Sequence, residues 1–240
     1  MSLEADGFVL LPGVFTPDEL AALVPEWDEV CLRHASDAAI LAGEGGPAYG
    51  ARDLLRLWPR VVELARGPNL FDALRRELGP TASVVRALFF DKPPGHSWAL
   101  PWHKDYNVAV KAHGPLGAFQ KPTRKAGVPH VEAPESLLSR MLTARVHLDD
   151  MTDENGALRV VPGSHRYYRA SEDLPRPPVS VHCGAGDVLL MRPLLTHASG
   201  HCLTGTPRHR RIVHLECAAS PTLPDGYEWH DFVPLDPVLS

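Results

Sequence analysis

Cysteine is scarce and scattered in this sequence. Cys31, Cys183, Cys202 and Cys217 include no Cys-x-x-Cys pair, which argues against a zinc ribbon or a disulfide framework and leaves them as reduced thiols. No apolar run approaches the length of a membrane span. The opening residues, MSLEADGFVLLPGVF, carry neither the basic start nor the long apolar stretch of a secretory signal, so the chain reads as cytoplasmic. An excess of positive charge is missing too. A net charge of −5 offers no basic stripe to nucleic acid and no polybasic patch to anionic lipid, so small molecules are the expected partners. With 240 residues, 44% hydrophobic and 22% charged, a single globular domain over 1–240 is expected. The oligomeric state is not encoded in any pattern visible here.

Histidine and proline are plentiful, at 13 and 24 residues, and so much proline suits short strands and many turns better than a helical bundle. Residues 1–80 read as mainly helical. Thr16-Pro17-Asp18-Glu19 is a capping box with proline at the first helical position, followed by apolar residues at Leu20, Leu23, Val24, Trp27, Val30 and Cys31. A second helix is expected over 68–78, on Leu70, Phe71, Leu74 and Leu78, and 43–51 reads as a glycine-rich loop. From residue 82 the period changes. Strands are expected at 83–90, 102–111, 142–148, 157–161, 179–182, 187–191 and 210–217. A helical layer followed by many short strands favours an α+β protein whose core, over 82–220, is a jelly roll. The segment 112–140 is long for a connection inside a domain, ends in a short helical pattern, and reads as a lid.

His103 and Asp105 stand two residues apart. On a strand such residues share a face, with backbones roughly 7 Å apart, so both could meet one ion. A histidine from a neighbouring strand would complete a triad of two imidazoles and a carboxylate, leaving open positions on octahedral iron(II) for a bidentate keto-acid and dioxygen. His-x-Asp alone says little in a chain with 13 histidines and 29 acidic residues. The candidate third ligand is His197, where the strand-like Gly186-Asp187-Val188-Leu189-Leu190 leads through Pro193 to His197-Ala198-Ser199-Gly200. Arg208, Arg210 and Arg211 follow, and a guanidinium at the start of a strand can clamp a carboxylate such as the far end of 2-oxoglutarate.

The order His-x-Asp, then 148–165 (LDDMTDENGALRVVPGSH), then Gly-Asp-Val-Leu-Leu, His-Ala-Ser-Gly and an arginine-rich strand resembles the phytanoyl-CoA dioxygenase family over nearly the whole chain. The resemblance implies a double-stranded β-helix with iron(II) on His103, Asp105 and His197. It also implies 2-oxoglutarate as co-substrate, held at its distal carboxylate by an arginine, and hydroxylation of a small molecule with release of succinate and CO2. The family's spacing from the distal histidine reaches Arg208, whereas matching the strand that ends His214-Leu215-Glu216-Cys217 selects Arg210. Arg210 is preferred, because alternation puts it on the face of Ile212 and His214. Related halogenases have a small residue where this chain has Asp105, so hydroxylation is expected rather than halogenation.

Lys92 is a further candidate for a keto-acid carboxylate. His214 and Glu216 alternate with Arg210 and are candidates to line the cavity. Asp149, Asp150, Asp153 and Glu154 run into Asn155-Gly156 and read as a solvated turn, with His147 and His165 as structural positions beside it. Trp98 and Trp102 read as core. His96, His113, His130, His182, His201, His209 and His230 read as surface or loop residues. Lys111, Lys121, Arg124 and Lys125 leave an anionic substrate open. Two other classes keep the same fold: a cupin-type metal enzyme with no use for 2-oxoglutarate, and a binding protein without catalysis.

Overall fold

The computed structural model describes residues 1–43, 46–115, 117–169 and 176–236. The first helix, Pro17–Arg33, begins as its sequence dictates. The Glu19 amide donates to Thr16 Oγ1, the Thr16 amide donates to the Glu19 carboxylate at 2.7 Å, and Pro17 fills a position whose N–H has no helical partner. Leu20, Trp27 and Val30 form its buried face. In the helix Pro68–Leu78 the four-residue spacing of Leu70, Leu74 and Leu78 does the same.

Both helices join one hydrophobic core with the outer face of an eight-stranded antiparallel sheet. The sheet's order is Phe8–Leu11, Val188–Met191, Met141–His147, Ile212–Ala218, Ser83–Phe90, Ala48–Ala51, Ile40–Ala42, with Val233–Pro234 also paired to Ser83–Phe90. Alternation divides its residues. Ala87, Phe89, Leu142, Ala144, Val146, Val213 and Leu215 face the helices, and Phe89 stacks on Trp27 with ring centroids 3.8 Å apart. The residues between them, among them Arg86, Leu88, Arg145, Ile212, His214 and Glu216, face the other way, into a cavity.

A four-stranded sheet covers that inner face, in the order Val179–Val181, Leu158–Val160, His197–Ser199, Leu100–His103. From Ser83 onward the chain passes repeatedly between the two sheets: Ser83–Phe90 is in the large one, Leu100–His103 in the small, Met141–His147 in the large, Leu158–Val160 in the small. That alternation makes a jelly roll. At one end the sheets close on each other through Phe8, Leu158, Val160, Val181, Leu189 and Met191.

Three expectations are corrected. The strand expected over 102–111 is two strands, Leu100–His103 and Asn107–Ala109, because the chain leaves the ladder at 104–106. The glycine-rich 43–51 contributes the strand Ala48–Ala51 to the large sheet, and its residues 44 and 45 lie outside those described. The segment 112–140 is more than a loop. Its strands Gln120–Lys125 and Val128–Glu132 pair with each other, and the second with Asn107–Ala109. The short helix Glu135–Leu138 follows, and residue 116 lies outside those described.

Candidate metal centre and cavity

His103 ends the strand Leu100–His103 and pairs in register with His197, the first residue of His197–Ser199. Cross-strand pairing therefore sets the two imidazoles side by side, with ring centroids 4.2 Å apart. Asp105 joins them from beyond the strand end, where its amide donates to the Pro193 carbonyl at 2.9 Å. Its carboxylate lies 3.8 Å from His103 Nε2 and 3.6 Å from His197 Nε2. The sequence argument put His103 and Asp105 on one strand face; a turn tied to the loop before His197 brings them together instead.

The donor atoms suit a cation. His103 Nδ1 donates to the Pro101 carbonyl at 2.7 Å and His197 Nδ1 to the Leu195 carbonyl at 2.8 Å. A carbonyl can only accept, so each Nδ1 carries the proton and each Nε2 presents a lone pair. Burial pushes His197 down to about 4, which keeps the ring neutral. Burial opposes the charge on Asp105, but His197, His214, His103 and Arg145 hold its carboxyl below its ordinary value. Asp105 Oδ2 is buried without a hydrogen-bond partner. An ionised oxygen and two imidazole lone pairs, all within 4.8 Å of one another, make a set that could hold a divalent metal.

The triad borders a cavity of about 240 Å³. Arg210, just before the strand Ile212–Ala218, lines it and is 1% exposed. Its Nη1 donates to the Gly156 carbonyl at 3.0 Å, its Nε has no hydrogen-bond partner, and no carboxylate pairs with it among the described residues. Burial and the neighbouring Arg145 push it down to about 9, which marks a charge in need of an anion. Arg208 points elsewhere, to Glu154 at 3.2 Å and Asp150 at 3.9 Å, and Arg211 forks onto Asp149.

Over residues 3–210 the chain matches the family described as Phytanoyl-CoA dioxygenase (PhyH). It belongs to that family. Among curated relatives, the ectoine dioxygenase of Bordetella parapertussis is 30% identical over 174 residues, covering 70% of this chain and 48% of that protein. The L-proline trans-4-hydroxylase of Streptomyces griseoviridis is 25% identical over 174 residues, 72% of this chain and 56% of that one. The chain thus spans about half the length of the curated relatives it matches. Two solved structures share the fold. EctD from S. alaskensis with bound Fe superposes with a TM-score of 0.69 at 23% identity, over 90% of this chain and 74% of that one. SnoN, the non-heme alpha ketoglutarate dependent epimerase from nogalamycin biosynthesis, gives 0.67 at 20% identity, over 98% and 95%.

Around the centre of this PhyH-family chain, other expectations sort themselves by position. His214 and Glu216 line the cavity as expected, and burial pushes His214 down to about 3. Lys92 is fully buried, with its ammonium donating to Ser199 Oγ at 3.2 Å and to the Gly200 carbonyl, and with Trp98 4.9 Å away; burial and Arg210 push it down to about 7. It braces the strand that carries His197. Trp98 was expected in the core and instead lines the cavity, its Nε1 donating to the Asp91 carbonyl, while Trp102 is largely exposed against Arg159. His130, expected at the surface, is buried. The acids at 149–154 serve the loops: Asp149 holds Arg211, Asp150 accepts from the Ala185 amide and Glu154 from Thr206. His147 and His165 stand outside the triad. Arg145, Arg86 and Arg52 also line the cavity and were not singled out from sequence. The one hint is that Thr143, Arg145 and His147 alternate with Leu142, Ala144 and Val146, a pattern that equally describes a wet face.

Proposed function

We propose that this chain is an iron(II)- and 2-oxoglutarate-dependent oxygenase that hydroxylates a small molecule with dioxygen, releasing succinate and CO2. One juxtaposition carries the reading: two imidazoles and a carboxylate meet at the wall of a cavity that also holds a buried arginine without an acidic partner. His103, Asp105 and His197 hold the iron, which with 2-oxoglutarate supplies the activation of dioxygen. Arg210 holds the distal carboxylate of 2-oxoglutarate, with the Gly156 carbonyl fixing the guanidinium and Trp98 beside it. Lys92 ties down the His197–Gly200 segment through Ser199 and the Gly200 carbonyl. Arg208, engaged by Glu154, is not given that role. Asp105 occupies the place a halide would need, which supports hydroxylation over halogenation. A metal enzyme without a keto-acid would leave Arg210 buried and uncompensated, at a cost of several kcal/mol.

The ectoine dioxygenase and proline hydroxylase names of the relatives support a small, polar substrate. Four free cysteines support a reducing compartment, hence the cytoplasm; no helix among the described residues is long and apolar enough to cross a membrane. The deciding experiment is anaerobic addition of iron(II) and 2-oxoglutarate. A weak visible charge-transfer band that needs both components, and that His103→Ala abolishes, is the expected result. Absence of any band at saturating iron and keto-acid would overturn the reading.

A further inference from the structure

The cavity carries positive charge well beyond what Arg210 accounts for. On Ile212–Ala218, His214 pairs with Arg145 on one side and Leu88 on the other, and Glu216 pairs with Thr143 and Arg86. Arg210 and Glu216 share a face but lie six residues apart, roughly 20 Å along an extended strand. A keto-acid reaching from the triad to Arg210 therefore leaves the Glu216 end free. That end is lined by Arg52, Arg86 and Lys125, and Arg145, opposite His214, lies between it and Arg210. Among the residues lining this cavity the one carboxylate outside the triad is Glu216, which Arg86 engages at 2.8 Å, while Asp53 and Asp231 stand in a small adjoining cavity that Arg52, Arg86 and Lys125 also border. Arg145 is 6% exposed, its Nε has no hydrogen-bond partner, and no carboxylate lies in ion-pair range of it among the described residues. Among the described residues no carboxylate pairs with Arg52 or Lys125 either. The remaining lysine on the wall, Lys104, is already engaged by the Ser164 and Tyr167 carbonyls.

We propose that this end of the cavity is an anion subsite for the primary substrate, and that the substrate is a small organic acid held through its carboxylate by Arg145, Arg52 and Lys125. The inference rests on the oxygenase reading for the word substrate, and on geometry alone for the subsite. Burial, then Arg86 and Arg52, hold the Lys125 ammonium below its ordinary value, and burial pushes Arg145 down to about 10; a bound carboxylate relieves both. Of the four cations in or near 112–140 that left an acidic substrate open, three are occupied: Lys111 by Glu228, Lys121 by Glu132, and Arg124 by the Gly127 carbonyl. Only Lys125 reaches the cavity.

The test is calorimetric titration of the metal-free protein with benzoate, cyclohexanecarboxylate and 4-methylpentanoate, each against its primary amide. At least one acid is expected to bind at least tenfold more tightly than its amide. Arg52→Ala/Lys125→Ala, at partly exposed positions, is expected to weaken that acid tenfold or more. Arg145→Met should do the same and Arg145→Lys should keep part of the affinity, with circular dichroism checking that each variant is folded. Equal binding of acid and amide, no binding by any acid, or wild-type affinity in the double variant would overturn the subsite. So would acid binding that disappears in Arg210→Ala, because the probe would then sit on the co-substrate clamp. The charge-transfer band, recorded separately on the iron(II) protein, reports on the oxygenase reading independently of all these outcomes.

Discussion

At Arg210 a guanidinium is buried beside Trp98 with the Gly156 carbonyl as its hydrogen-bond acceptor. Hydrogen bonds to a charged group contribute about 1.5–3 kcal/mol each, so on the role proposed for Arg210 its removal should raise the 2-oxoglutarate requirement by roughly one to two orders of magnitude. The expected outcome for Arg210→Ala is that rise in the keto-acid concentration for half-maximal charge-transfer absorbance, with Arg208→Ala within about twofold of wild type. His130 makes a different residue-scale case. Burial, then Arg86, pushes it down to about 4 from an ordinary 6.5. Its folded-state value is the lower one, so above pH 6.5 both states are neutral and nothing is lost. As pH falls from 6.5 toward 4 the unfolded chain takes up the proton first and stability drops, by about 2–3 kcal/mol at pH 4.5. Urea midpoints at pH 7 and 4.5 check this, with His130→Gln expected to lose less than the wild type over that interval.

At the scale of elements, one turn holds the Arg210 guanidinium, the proposed clamp. Gly156 has φ +73°, a Cβ there would stand 2.5 Å from the Gly200 carbonyl oxygen, and its own carbonyl holds Arg210. Gly156→Ala is therefore expected to cost about 1 kcal/mol from backbone conformation alone, and to weaken 2-oxoglutarate binding as well, seen as lower urea stability together with a shifted keto-acid titration. Unchanged keto-acid affinity in a destabilised variant would separate the turn from the clamp. The helix Pro17–Arg33 is attached to the jelly roll through Trp27 on Phe89, both buried. Phe89→Ala should cost about 3–5 kcal/mol, the usual loss for a buried aromatic, read from chemical denaturation. The element least like its sequence expectation is 112–140, where Gln120–Lys125 carries an exposed polar run with no apolar alternation to announce a strand. Its partner Val128–Glu132, buried at every position, forms the ladder that recruits it.

At the scale of the whole molecule, the helical layer and the large sheet share one core, so residues 1–80 and the barrel should unfold together. Tryptophan fluorescence and far-ultraviolet circular dichroism are expected to trace one coincident transition. On the proposed function, iron(II) with 2-oxoglutarate binds only the folded state and should stabilise that transition by about 2.7 kcal/mol at a hundred times the dissociation constant. A chelator should reverse the gain, and His103→Ala should not show it.

Local chemistry was enough to fix several features. The capping box at Thr16, the four-residue spacing in Pro68–Leu78, the β-branched and aromatic run at Ser83–Phe90 and the period-two run at Met141–His147 act over a few residues, so they are legible wherever the chain goes. The order of motifs along nearly the whole chain, through the family resemblance it carries, pointed to His103, Asp105 and His197 as candidates. Tertiary structure decided what lies between sheets. Arg145, His214 and Glu216 read as one polar face of two strands, and whether such a face meets water or closes over a cavity depends on a second sheet formed by residues far away in the chain. For the same reason Lys125 and His130, neighbours on a hairpin, took on a cavity wall and a buried position that no short stretch of sequence could assign.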